Sequence, residues 1–440
     1  MNMPRPRSNR TDVTRRDFLR TLGVGTAVTV GAGYGLSVWE WGGEPAGATM
    51  RAGELEADAN GRTLVVVEMG GGNDGLNTVV PLTDGRYRDL RPTLAVTDAI
   101  DLDGEVGLHP SLAKLAKRYD DGQVAIVQGL GYDDPDLSHF GSFAIWWSAK
   151  GGAGGGGWLG AYLDGTVGFD DPLAAIAIGP GPSPALIGRQ SFATTIANSD
   201  GLQPQIPAWL DAPSGQDADE LVAAWSDFTP AKVDTSALVG QVQRAVGLTV
   251  KARTQLDQAL TDGPEPDPGE SNAAGRRNTR YQDASVAESL LLAAQLVQSP
   301  AKPRVIYVNG VGDFDTHEGQ AERHPLLLQQ LDDGIDGFFN ALGKDADKVT
   351  LMTVSEFGRR AAENGSGTDH GTANVHFVVG PRVQGGRYGE PPSLTDLDPH
   401  GNLRHTDDFR RHYATGLAWL GVNDTEAVLG DDFKAFQVFK

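Results

Sequence analysis

Apolar residues in this chain fall in short unbroken runs: Thr63 to Met69, Val124 to Gln128, Ala174 to Ile178, Arg304 to Asn309, Val349 to Val354 and Val375 to Val379. Each is too short for a helix, most are rich in Val and Ile, and none alternates with polar residues, which is the pattern of a strand covered on both faces. Between them the spacing predicts helices at Ser111–Tyr119, Ser138–Ser148, Thr235–Leu260, Ala284–Gln298, Pro325–Leu342 and Asp407–Leu420, the last with Thr406 as its N-cap. Strands alternating with helices of this kind define an α/β fold, with helices on both faces of a mostly parallel central sheet.

Two stretches interrupt the pattern. Gly151 to Gly157 is almost all glycine, and Thr261 to Arg280 is polar with prolines, so both read as surface connections. Residues 203–282 lack a strong strand run and are expected to form a helical cap or insertion within one domain spanning 49–440. Ahead of it, Thr14-Arg15-Arg16-Asp17-Phe18-Leu19-Arg20 precedes an uncharged stretch from Thr21 to Val38 and the small-residue pattern Ala46-Gly47-Ala48. A basic segment, a weakly apolar segment and a small-residue cleavage site make residues 1–48 a twin-arginine export signal. The expected location is periplasmic or extracellular, with no stable membrane insertion once the signal is removed.

Charge and cysteine usage narrow the chemistry. Lys and Arg total 37 against 58 Asp and Glu, a formal net charge of −21, which repels phosphate backbones and argues against nucleic acid as a partner. With no Cys in the chain, a metal site must be built from His, carboxylate and other oxygen ligands.

Ligands of open α/β sheets bind at the carboxyl ends of strands. After the first run, Asp74 stands in Gly70-Gly71-Gly72-Asn73-Asp74-Gly75, either as a ligand at the strand mouth or in a local turn. After the second, Ser138-His139 opens a helix; Ser138 is a candidate nucleophile or a plain N-cap, and His139 a second candidate catalytic residue. Asp313, Asp315 and His317 follow Arg304–Asn309. Glu356 follows Val349–Val354 as a ligand or as a partner of Arg359. Asp369 and His370 precede the last run, and His376 lies within it as a ligand or a core histidine. Carboxylates and histidines on several strand ends of one sheet would converge on one crevice, the construction of two-metal hydrolysis.

Together with the twin-arginine leader, the motifs Gly71-Gly72-Asn73-Asp74-Gly75-Leu76-Asn77, Ser138-His139-Phe140, Phe314-Asp315-Thr316-His317, Ser355-Glu356-Phe357-Gly358-Arg359, Asp369-His370-Gly371 and Gly385-Gly386-Arg387-Tyr388-Gly389-Glu390 resemble an exported bacterial domain family of unknown function. That family is placed in the alkaline-phosphatase-like superfamily, with sulfatases and phosphomutases. The resemblance implies that superfamily's fold and one or two divalent ions, zinc or manganese. It implies Asp74, Asp315, His317, Asp369, His370 and His376 as metal ligands and Ser138 as nucleophile. The spacing departs from the superfamily's in two places. An Asp-x-x-x-His pair would select Asp313 rather than Asp315, and Glu356 takes the strand-end position expected for the Asp-His pair. The expected function is a metal-dependent hydrolase of phosphate, sulfate or related esters, on small molecules or polymers. The alternative is an envelope or extracellular binding or assembly protein that keeps the fold and one metal, with a protein partner.

Overall fold

The computed structural model describes residues 34–36, 52–57, 59–150, 156–168, 171–191, 193–196, 247–248, 250–256, 258 and 285–440. Of the expected export signal only residues 34–36 fall within that set, as backbone. Most of the expected helix Thr235–Leu260, most of 203–282, residues 151–155 and the connection Thr261–Arg280 lie outside the described residues.

In chain order the strands are β1 (Tyr34–Leu36), β2 (Thr63–Glu68), β3 (Val79–Pro81), β4 (Ile100–Asp101), β5 (Val106–Leu108), β6 (Val124–Gly131), β7 (Ala175–Ile178), β8 (Thr194–Ile196), β9 (Val305–Val308), β10 (Val349–Val354), β11 (Asn374–Val379), β12 (Gly386–Tyr388) and β13 (Asp407–Asp408). One large mixed sheet runs β1-β8-β7-β9-β2-β10-β11-β6-β12, with β13 also on β6, while β3, β5 and β4 form a small antiparallel sheet. Pairing is parallel from β8 through β7, β9 and β2 to β10, whereas β11 is antiparallel to both β10 and β6. The sheet is mostly parallel, as the apolar runs predict. The reversed β11 has a consequence for the site: its leading loop lies at the same edge as the carboxyl ends of β2, β6, β9 and β10.

Alternate side chains of each strand feed opposite layers. Val65, Val67, Ile306, Val308 and Leu351 pack with the helices Val286–Gln298 and Gln320–Leu342. Leu64, Val66, Val305, Tyr307 and Met352 pack with Trp158–Thr166 and Arg410–Trp419. Both faces are thereby covered, which is why the runs show no polar alternation.

Two helix starts lie three or more residues from the sequence expectation. The long helix begins at Gln320, not Pro325; the proline sits inside it, and a left-handed Gly319 (φ 61°) precedes it. A proline ordinarily marks a helix start because it donates no backbone hydrogen bond. The additional turn carries Gln320 and His324, both buried, toward the strand mouths. The last helix begins at Arg410, because Asp407–Asp408 pair with Leu130–Gly131. Thr406 is consequently no cap; its hydroxyl donates to Glu390 O at 2.5 Å.

Candidate metal centre

Four loops meet at the carboxyl edge between β9, β2, β10 and β6. The turn after β2 is built by glycines with positive φ at Gly71 (112°) and Gly72 (81°). A Cβ on Gly71 would lie 2.3 Å from Asp315 N, and one on Gly72 would lie 2.3 Å from the Phe357 ring. Only glycine lets the β2, β9 and β10 loops approach this closely. The β10 exit then bridges to the loop leading into β11, with Arg359 opposite His370 and Gly371 N donating to Gly358 O at 2.8 Å.

At the centre stands the Asp315 carboxylate, 3.2 Å from His370 Nε2, 3.4 Å from His139 Nε2 and 3.1 Å from His317 Nε2. The other nitrogen of each ring faces an oxygen. His370 Nδ1 lies 2.7 Å from Leu137 O, His139 Nδ1 lies 2.7 Å from Glu356 Oε1, and His317 Nδ1 lies 3.3 Å from Asp369 Oδ1. A carbonyl or carboxylate can only accept, so each ring donates from Nδ1; because the Asp315 carboxylate also only accepts, Nε2 either carries a second proton or turns its lone pair to a cation held between ring and carboxylate. Lone pairs converging on a carboxylate require positive charge among them, from protons or from a bound cation. Imidazoles oriented through Nδ1 by oxygen acceptors are the arrangement of metal-binding histidines. One donor atom each from His139, Asp315 and His370 lies within 4.8 Å of the others, so these three could hold a metal ion. The nitrogen and oxygen donors fit a divalent transition metal.

The electrostatics follow from the same contacts. Burial opposes the charged form of His139, but hydrogen bonds to Asp315 and Glu356 outweigh it and push its pKa up to about 9. Burial also opposes charge on Asp315, yet His139, His370 and Arg359 hold its carboxyl well below the usual range. Phe357 walls the group, with ring centroids 5.0 Å from His139 and 4.5 Å from His370.

The remaining sequence candidates separate. Glu356 is fully buried, accepts Gly71 N at 2.8 Å and orients His139, and it makes no ion pair with Arg359. Arg359 is buried too; it donates to Asp315 Oδ1 at 2.7 Å, Gly72 O at 2.6 Å and Thr368 O at 2.9 Å, and so ties the loops together. Of the two aspartates before His317, Asp315 joins the histidines, while Asp313 pairs with Arg323 at 3.1 Å. Asp369 reaches His317 and also accepts from Asn364 Nδ2 at 3.0 Å. Asp74 belongs to another set: its carboxylate binds Arg91 Nη1 at 2.5 Å and Gln320 Nε2. Burial raises its pKa, and the Arg91 guanidinium overcomes that and lowers it. His376 is buried in the core beside Trp146 and His412, apart from Asp315. Ser138 is exposed at the N-cap of helix His139–Ser148, where its side chain makes no capping bond and Asp136 Oδ1 accepts its backbone N–H at 2.8 Å. Sequence reasoning missed the Leu137 carbonyl, Arg91 and Gln320. A carbonyl leaves no sequence signal, and Gln320 was hidden behind Pro325.

The molecule is thus an α/β protein whose sheet edge carries a candidate His–Asp–His metal group. The chain belongs to the family described as "Protein of unknown function (DUF1501)", which matches residues 61–436. No curated protein matches it. Among solved structures it is similar to "Crystal structure of Ps i-CgsB in complex with k-i-k-neocarrahexaose", with 11% identity, a TM-score of 0.34, and coverage of 84% of this chain and 74% of that one. It is also similar to a TAB5 alkaline phosphatase mutant with Mg bound, with 9% identity, a TM-score of 0.28, and coverage of 74% of this chain and 91% of that one. Both likenesses are too loose to carry chemistry across.

Proposed function

We propose that the protein is an exported, metal-dependent hydrolase of phosphate, sulfate or related esters. The observation that supports this is the convergence of three Nε2 atoms on Asp315, each ring anchored through Nδ1. His139, Asp315 and His370 hold a divalent ion, zinc or manganese, with His317 and Asp369 extending the group outward. Such an ion supplies positive charge for anionic ester oxygens and acidifies an oxygen nucleophile. Glu356 and the Leu137 carbonyl fix the two inner rings. Ser138 lies between Leu137 and His139, and the helix N-terminus behind it favours negative charge on its oxygen. Ser138 Oγ bonds to phosphorus or sulfur as that atom's bond to the ester oxygen breaks, and the hydroxyl proton leaves with the departing alcohol; water then cleaves the seryl ester, restoring the Ser138 hydroxyl and releasing phosphate or sulfate.

A second reading, a metal-holding binding or assembly protein, is favoured by the arginines. Arg359 spends its donors on Asp315 and backbone carbonyls, and Arg387 is paired with Asp103 at 2.9 Å and with Glu105 at 2.5 Å. Neither is placed to greet an anionic substrate.

The test is elemental analysis of the purified full chain, followed by turnover of p-nitrophenyl phosphate and p-nitrophenyl sulfate with and without chelator. Expected are bound zinc or manganese, turnover abolished by chelation and restored by the ion, and loss of at least 100-fold in Ser138→Ala with metal retained. Folded protein that takes up no metal after supplementation overturns the catalytic reading. Bound metal without turnover of any ester favours the second one.

A further inference from the structure

The helix that delivers His139 also carries an aromatic strip that metal binding does not use. Phe143 follows His139 by four residues and Trp147 follows Phe143 by four, so the three occupy one side of the helix at successive turns. The Phe143 and Trp147 rings are stacked, with centroids 4.7 Å apart and planes 18° apart, and both are only partly buried. A Cβ on Gly70 would sit 3.5 Å from Phe143 Cζ, which places that ring over the turn after β2. Trp147 is held in orientation by its Nε1–H, donated to Glu68 Oε2 at 2.7 Å, where Tyr307 O–H also donates at 2.6 Å. Phe140, next to His139, is 42% exposed, one of two exposed large hydrophobics among the described residues.

An oriented aromatic surface with polar anchoring, one and two helical turns from a cation site, suits a flat ligand with an apolar face and a hydroxylated rim. A pyranose ring has that shape, and its C–H face packs on aromatic rings while its hydroxyls remain solvated. A lipid chain would need a deeper apolar groove. The excess of acidic residues in the chain also favours a sugar body that is itself neutral, its one anionic group being taken by the cation.

We propose that Phe143 and Trp147 form a sugar subsite and that the substrate class is a carbohydrate-borne phosphate or sulfate ester. This rests on the hydrolase reading above and names its substrate. The experiment measures binding of two sets of probes to the metal-loaded full chain by calorimetry. The first set is the 6-sulfates and 6-phosphates of glucose, galactose and mannose; the second is methyl sulfate and methyl phosphate, which lack the ring. At least one hexose ester is expected to bind tenfold or more tightly than its methyl counterpart. Trp147→Ala is expected to remove that advantage without changing methyl-ester binding, and Trp147→Phe to keep part of it. Equal affinity for ring and methyl esters, or an advantage that survives in both Trp147→Ala and Phe143→Ala, overturns the subsite and leaves the hydrolase reading standing. No binding of either set overturns both. Saturation-transfer NMR of neutral glucose, galactose and mannose oligosaccharides on chelator-treated protein reads the subsite without the metal: contact is expected in the wild type and lost in Trp147→Ala. Absence of contact with every oligosaccharide in the wild type counts against the subsite.

Discussion

Two groups of histidines lie under opposite rules in this protein. At the sheet edge, His139, His317 and His370 each face an oxygen through Nδ1 and turn Nε2 to Asp315. In the core, His376 and His412 lie with rings 5.6 Å apart and planes 27° apart, and among the described residues no carboxylate contacts either. Neither ring nitrogen of His376 has a hydrogen-bond partner, and His412 has one, Thr353 O at 3.0 Å. Burial, with the neighbouring His412 adding to it, pushes His376 well below its usual pKa, and burial dominates the fall of His412 to about 4, whereas the two carboxylates lift His139 to about 9. Desolvation disfavours charge at all three, and a carboxylate partner decides which side wins. A histidine type alone therefore says little; the acceptor on its second nitrogen says most.

The largest effect that would break this contrast is on metal affinity. His370→Ala removes a donor and is expected to weaken zinc binding by more than 100-fold, measured by competition with a chromophoric chelator, while His376→Leu leaves it unchanged. Glu356→Gln touches the ion only through His139, and a loss of about 10–100-fold is expected. Equal losses in His376→Leu and His370→Ala would place the ion in the core and refute the edge assignment. Next in size is Asp74→Ala, which strands the fully buried Arg91 guanidinium. Removing one member of a buried pair costs about 3–5 kcal/mol. Urea unfolding should show that cost, with zinc affinity retained in the folded fraction; a selective loss of zinc without destabilisation would return Asp74 to the ligand set.

The six apolar runs made the sheet legible in the sequence, because a strand buried on both faces has no polar alternation to blur it. The direction of β11 was not legible, since a five-residue run reads the same either way. Yet that reversal is what brings Asp369 and His370 to the mouth. Asp315, His317, His370 and Glu356 were identifiable because they follow or precede strand runs. Asp74 has the same sequence position and a different use, because its partner Arg91 lies seventeen residues on, with nothing in the spacing to connect them. Asp313 and Asp315 differ by two residues, and only the placement of Arg323 on the long helix separates them. His376 illustrates the limit from the other side: its neighbours Trp146 and His412 come from helices distant in sequence.

The core pair also offers the finest test, through pH. A histidine whose folded pKa is depressed contributes stability that is present above its unfolded value and lost as pH falls toward the folded one. For His412 that window runs from about 6.5, the unfolded value, to about 4, and at 1.36 kcal/mol per unit the loss over the whole window is about 3 kcal/mol. Glu68, raised to about 7, and Asp332, raised to about 6, work in reverse, because their folded forms hold protons that the unfolded chain releases. They stabilise the fold as pH falls through the same range, so the wild-type slope is a difference. His376→Leu removes one histidine and leaves both carboxyls in place. Leucine also removes the two unpartnered ring nitrogens, a gain of about 1 kcal/mol at pH 7.5. Urea midpoints of wild type and variant should diverge further between pH 6.5 and 4.5, with the variant always the more stable. Parallel midpoints across that range would mean that His376 protonates as readily folded as unfolded, and the contrast between edge and core would lose its basis.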